Sequence, residues 1–214
     1  MRTGKISEIK SGKRDPKRVN IYVDGKFTLA IDTEIAVKEK IRLDTELDPG
    51  RITELERSDR IKQGIDTAAR FLGYRPRSES ELRERLQRRG FEAEIIKSVI
   101  IKLKEQGLVD DSAFARFWTE NRESFSPHSR YFTKRELKQK GVAEEIIDDA
   151  VSTIDDSESA YRTAAARATR MHAADYEDFR SRLGGYLRRR GFSYETINKT
   201  ITKIWQERES SKTP

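Results

Sequence analysis

"LQRRGFEAEII" runs from Leu86 to Ile96 and reads as the end of one helix, a glycine stop and the start of the next. The wording returns as "LKQKGVAEEII" from Leu137 and as "LRRRGFSYETI" from Leu187. Counted from Gly90, Gly141 and Gly191, position minus four is Leu86, Leu137 and Leu187. Position plus six is Ile96, Ile147 and Ile197; plus ten is Ile100, Val151 and Ile201; plus thirteen is Leu103, Ile154 and Ile204. The plus positions fall at i, i+4 and i+7, which sets three apolar side chains on one helix face. Position minus eight holds Leu82 and Leu183, with Thr133 as the polar exception.

Glycines about fifty residues apart mark a repeat of supersecondary size. Each repeat accommodates three helices. The pattern predicts Glu56 to Leu72, Glu79 to Arg89 and Glu92 to Glu105; then Ser112 to Arg122, Arg130 to Lys140 and Ala143 to Ile154; then Ser157 to Met171, Tyr176 to Arg190 and Tyr194 to Glu207. Ser78-Glu79-Ser80-Glu81 reads as a capping box, and Pro76 and Pro127 lie in connections, where a missing backbone donor does little harm. The repeated glycine suits a C′ position in the left-handed region, where it carries no Cβ penalty. A single unit buries too little apolar surface to stand alone, so stacking along the chain is expected.

Toward the N-terminus the grammar changes. In "RVNIYVDGKFTLAID", Val19, Ile21 and Val23 alternate with polar residues, Asp24-Gly25 interrupts, and Phe27, Leu29 and Ile31 alternate again. That is a hairpin signal, since a type I′ turn needs positive φ at both central residues. "KISEIK" supplies a third short strand, and the hairpin, marginal alone, is expected to pack on "TEIAVKEK" or on the first repeat. The expected fold is therefore mainly α: tandem three-helix repeats in an elongated, solenoid-like array with a small β-hairpin-containing extension. Its divisions are residues 1–50 (β-rich extension), 51–107, 108–155 and 156–208 (three repeats), and 209–214 (disordered polar tail).

Composition suits small helical units better than one large core: 214 residues, 35% hydrophobic and 38% charged. A net charge of +7 favours an anionic partner, either nucleic acid or an acidic protein surface. With no cysteine, disulfides, thiolate zinc sites and cysteine nucleophiles are excluded, and two isolated histidines, His128 and His172, argue against a histidine metal site. No metal, cofactor or catalytic residue is expected; P-loop, GxSxG and zincin motifs are absent from the sequence. No signal-peptide core and no run of eighteen apolar residues occurs, so a cytoplasmic location without membrane contact is expected. No heptad seam appears, so a monomer is expected.

Three stretches together resemble the RecX family, bacterial regulators of the RecA recombinase: Ala68 to Arg122, which includes "LQRRGFEAEIIKSVIIKLKEQGLVDDSAFARFW"; "RELKQKGVAEEIIDDAV" from Arg135; and the N-terminal "NIYVDGKFTLAID". The link "ESFSPHSRYFTKREL" departs from the glycine-containing wording of the family. The resemblance implies a non-enzymatic protein that binds RecA and its filament on single-stranded DNA, and suppresses ATP hydrolysis, filament growth and strand exchange. The alternative is a helical protein acting directly on single- or double-stranded DNA.

Candidate partner or phosphate contacts are the basic last turns of the second helices: Arg88 and Arg89, Lys138 and Lys140, and Arg188, Arg189 and Arg190. Cations there also offset the negative end of the helix dipole. Phe117, Trp118, Tyr131 and Phe132 interleave with basic residues and read first as core packing, second as bases' stacking partners. Asp110 and Asp111, before a helix, read as caps rather than as a metal or acid/base pair.

Overall fold

The structure, a computed structural model, describes residues 3–12 and 15–210. Two compact units are distinguished. The first comprises the described residues up to Arg75 with Leu82–Val109; the second comprises Pro76–Glu81 with those from Asp110 onward.

The first unit opens with strands β1 (Gly4–Ser11), β2 (Arg18–Val23) and β3 (Lys26–Asp32), helix α1 (Thr33–Lys38) and strand β4 (Glu46–Leu47). The sheet is antiparallel in the order β3-β2-β1-β4, so the three expected strands form and the short β4 adds a fourth. Asp24 and Gly25 both take positive φ, 48° and 76°, which closes the β2–β3 hairpin with Val23 opposite Lys26. Ile6, Ile21, Leu29, Ile31 and Leu47 pack with Ala36 of α1 and with Ile52 and Leu55 of α2 (Pro49–Leu72). The hairpin thus packs on both of the elements offered to it.

Helix α2 begins at Pro49 rather than at Glu56 because Asp48 caps it, accepting from Arg51 N at 2.8 Å, with proline at the first helical position. Its early turns join the β core, while Ile61 and Ala68 join the first repeat. Asp59, on the same helix, is only 5% exposed but fully answered: Arg18 Nη2 and Gln63 Nε2 each donate at 2.8 Å, and Asp32 N at 2.7 Å. This carboxylate ties β2 and the end of β3 to the helix.

Then follow α3 (Glu79–Arg88), α4 (Ala93–Glu105), α5 (Asp111–Phe125), α6 (Arg130–Gln139), α7 (Glu144–Val151), α8 (Asp156–Ala168), α9 (Tyr176–Arg189) and α10 (Tyr194–Ser210). Every apolar position read from the glycine register is buried, and the side chains gather in three separate clusters. Thr133, the exception at minus eight, is buried like the leucines it replaces. Gly90, Gly141 and Gly191 take φ of 76°, 73° and 83°. The amide of the following residue, Phe91, Val142 or Phe192, donates back to Leu86, Leu137 or Leu187, and both partners are buried. This is a Schellman stop with its apolar clasp, used three times. Helix α10 runs through Ser210, so Glu209 and Ser210 are helical where a polar tail is expected; residues 211–214 of that tail lie outside the described residues.

Candidate partner interface

The second helix of each repeat ends on cations whose surroundings differ. Lys140, just before Gly141, places Nζ 3.1 Å from Glu81 Oε1 and 4.2 Å from the centre of the Trp118 ring. Arg190, just before Gly191, donates to Ser126 Oγ at 2.9 Å and to the Pro127 carbonyl at 3.0 Å, and covers the Tyr186 ring at 4.7 Å. Both are half-buried and already engaged. The other five candidates are exposed: Arg88, Arg89, Lys138, Arg188 and Arg189. Arg88 has Glu84 at 3.7 Å and Lys138 has Glu144 at 3.6 Å, loose surface pairs of small energetic weight.

The engaged pair belongs to a joint that occurs twice in the second unit. Ser78 caps α3, accepting from Glu81 N at 3.2 Å, and donates its hydroxyl to the Lys140 carbonyl at 2.6 Å. Ser129 caps α6, accepting from Phe132 N at 3.1 Å, while its backbone amide donates to the Arg190 carbonyl at 3.0 Å. A helix start therefore sits on the end of a later helix each time, and an orphan carbonyl accepts from the serine hydroxyl in one joint and from the serine amide in the other. The approach is close enough that a Cβ on Gly141 would stand 2.4 Å from Ser80 Cβ, and one on Gly191 2.8 Å from Phe132 Cβ.

The paired aspartates complete the joint. Asp110 caps its own helix, accepting from Ser112 N at 2.8 Å and Ala113 N at 3.1 Å, as expected. Asp111 differs: its carboxylate accepts from Glu79 N, at the start of α3, at 2.8 Å. Asp155 and Asp156 repeat the division, the first capping α8 through Ser157 N and the second accepting from Arg130 N at 2.6 Å. Sequence reasoning misses Asp155 and Asp156, yet a signal is present: "DDS" occurs at Asp110 and again at Asp155.

Of the aromatics, Trp118 lies 5.9 Å from Phe114, donates Nε1–H to Glu136 at 2.9 Å and is flanked by Arg122, which grips the same carboxylate at 2.7 and 2.8 Å. Phe132 stacks on His128 at 4.8 Å, Phe117 is half-buried, and Tyr131 is 69% exposed. Burial holds the His128 imidazole below its ordinary value, although the Ser126 carbonyl at 2.7 Å opposes that shift. Among the described residues no three His, Cys, Asp or Glu side chains gather as a metal site, and no helix is long and apolar enough to cross a membrane.

Four family descriptions match in chain order: "Regulatory protein RecX N-terminal domain" over residues 4–48, and the first, second and third three-helix domains of RecX over residues 65–103, 110–151 and 155–201. A "Regulatory protein RecX" of Clostridium perfringens is 31% identical over 206 residues, covering 94% of this chain and 96% of that one. The chain belongs to the RecX family. A RecX relative in Bacillus pumilus is 28% identical over 97% of this chain and 80% of its own length. A solved structure described as "Crystal structure of regulatory protein RecX" superposes with a TM-score of 0.70 at 25% identity, covering 92% of this chain and 98% of that one. Each three-helix RecX match contains one of the corner glycines, and the RecX N-terminal match contains the sheet and α1. RecX membership makes the chain one of a family of regulatory proteins.

Proposed function

We propose that the chain is a non-enzymatic regulator of homologous recombination that binds the RecA recombinase and its filament on single-stranded DNA, lowering ATP hydrolysis, filament extension and strand exchange. The observation that carries this reading is the RecX match along nearly the whole chain, at 31% identity to a full-length relative. Three repeats with separate cores supply contact surfaces in series, and we take these to span adjacent recombinase subunits and hinder the movements coupled to nucleotide turnover.

In this reading the exposed cations Arg88, Arg89, Lys138, Arg188 and Arg189 meet phosphates or acidic surface of the filament, while Lys140 and Arg190 are engaged within the second unit. Reversing the five exposed charges together is expected to weaken filament binding at least tenfold and to flatten its salt dependence, as fewer counterions are released. Unchanged affinity and an unchanged salt slope would remove these residues from the interface. Direct action on nucleic acid is the second reading, favoured by the same five cations, and it predicts equal affinity for DNA with and without the recombinase.

A further inference from the structure

One repeat carries a groove that its predecessor fills. In the second repeat Lys134, seven residues before Gly141, reaches from α6 to α7 and pairs with Asp148 at 2.6 Å and Glu144 at 2.8 Å. The corresponding positions of the third repeat hold Gly184, Asn198 and Tyr194, so the bridging lysine and both carboxylates are replaced together. Between α9 and α10 a slot of about 310 Å³ opens, with Ile197 and Ile201 among its lining residues.

Packing does not require these glycines. A Cβ on Gly184 would meet Ile201 and Ile197 only at 3.6 and 3.8 Å, and one on Gly185 would meet only Arg189 Nη1, at 3.6 Å. Neither takes a positive φ, and glycine inside a helix is unfavourable relative to alanine. Arg180 and Arg188 stand one turn to either side of Gly184 on the same helix face and also line the slot. Arg188 is exposed and, among the described residues, pairs with no carboxylate; Arg180 has Glu177 at 3.7 Å and reaches Tyr194 Oη at 3.4 Å. Contact with Asn198 and Arg180 lowers the Tyr194 phenol below its ordinary value.

We propose that this groove docks an extended acidic segment of a partner protein, an apolar side chain lying over Gly184 in the mouth of the slot and a carboxylate on either side meeting Arg180 and Arg188. The spacing defines the segment. Eight helical residues advance about 12 Å, close to four residues of extended chain at about 3.4 Å each. Side chains at i, i+2 and i+4 of such a segment share one side, giving acid, apolar and acid in register. An aliphatic floor suits a leucine, and a single aromatic, Tyr194, lines the slot, with its hydroxyl within reach of Arg180, whereas single-stranded nucleic acid calls for successive aromatic faces on which bases stack. The inference goes beyond the recombinase reading, and its test needs no recombinase, so the two fail separately.

The test is fluorescence anisotropy of the full chain with a labelled peptide containing Glu-Ser-Leu-Ser-Glu, with the same peptide carrying glutamine for both glutamates, and with labelled oligothymidine. The acidic peptide is expected to bind at least tenfold tighter than the glutamine peptide. The double variant Gly184→Lys with Asn198→Asp, which restores the bridge of the second repeat at unchanged net charge, is expected to lose at least tenfold in peptide affinity with an undiminished melting temperature. Arg188→Glu, which leaves the helix packing intact, is expected to lose as much. Equal binding of the two peptides, retention of peptide affinity in the bridged variant, or a loss confined to oligothymidine would each overturn the proposal.

Discussion

Lys140 Nζ lies 3.1 Å from Glu81 Oε1, with less than a fifth of either side chain exposed, and the same ammonium sits over Trp118. The pair fastens the start of α3 to the end of α6. Their coupling, measured by urea unfolding of Lys140→Met, Glu81→Gln and the double variant, is expected to be about 1 kcal/mol or more, as for contacting partners in a shared network. Additive effects would show that the pair contributes nothing to the joint.

The three corner glycines are not equivalent. Gly90 has open space where a Cβ would stand, so Gly90→Ala carries only the left-handed backbone penalty, about 1–2 kcal/mol. Gly141→Ala and Gly191→Ala add overlap with Ser80 and Phe132, so each is expected to lose about 1–3 kcal/mol more. Equal losses at all three positions, read from urea midpoints, would contradict the close approach.

Thr133 fills a leucine position, and its buried Oγ1 has no hydrogen-bond partner among the described residues. Thr133→Val keeps the shape and removes an unanswered hydroxyl, so unfolding free energy is expected to rise by about 1 kcal/mol. A fall in stability would mean that the hydroxyl is satisfied in solution.

His128 gives the joint a pH dependence. Burial lowers its folded value below the ordinary 6.5, so the unfolded chain binds the proton more readily. Its contribution is complete above pH 6.5 and is lost as pH falls through the window between 6.5 and the lowered folded value. Replacing His128 by phenylalanine is expected to flatten the melting temperature between pH 7.5 and 5.5; an unchanged slope would assign that slope to other groups.

The repeat is legible in the sequence because its signals are local. Leucine and isoleucine at fixed distances from a glycine define a helix face whatever surrounds it, and Asp-Gly between alternating runs defines a hairpin. The joint is legible only in part. Asp111 looks like a second cap for α5, but Asp110 already serves that helix, and the amide that Asp111 accepts belongs to Glu79, which only folding brings near. The basic last turns carry the same charge in sequence, yet Lys140 and Arg190 are drawn inward while Arg88, Arg89, Lys138, Arg188 and Arg189 remain exposed. Lys140 and Arg190 stand directly before a corner glycine that a helix start meets; Arg89 has that position with open space at Gly90, and the other four stand earlier in their helices. The start of α2 escapes the repeat pattern for a different reason, since Ile52 and Leu55 face the β core and do not follow the repeat's register.

Regulation of the recombinase would be read in ATP hydrolysis by RecA on single-stranded DNA. The titration would be carried out with this protein below one copy per recombinase and with DNA in excess, so that competition for the strand is excluded. A loss of turnover at substoichiometric protein is the predicted result. Undiminished turnover at saturating protein would rule out inhibition of the recombinase and favour direct nucleic-acid binding.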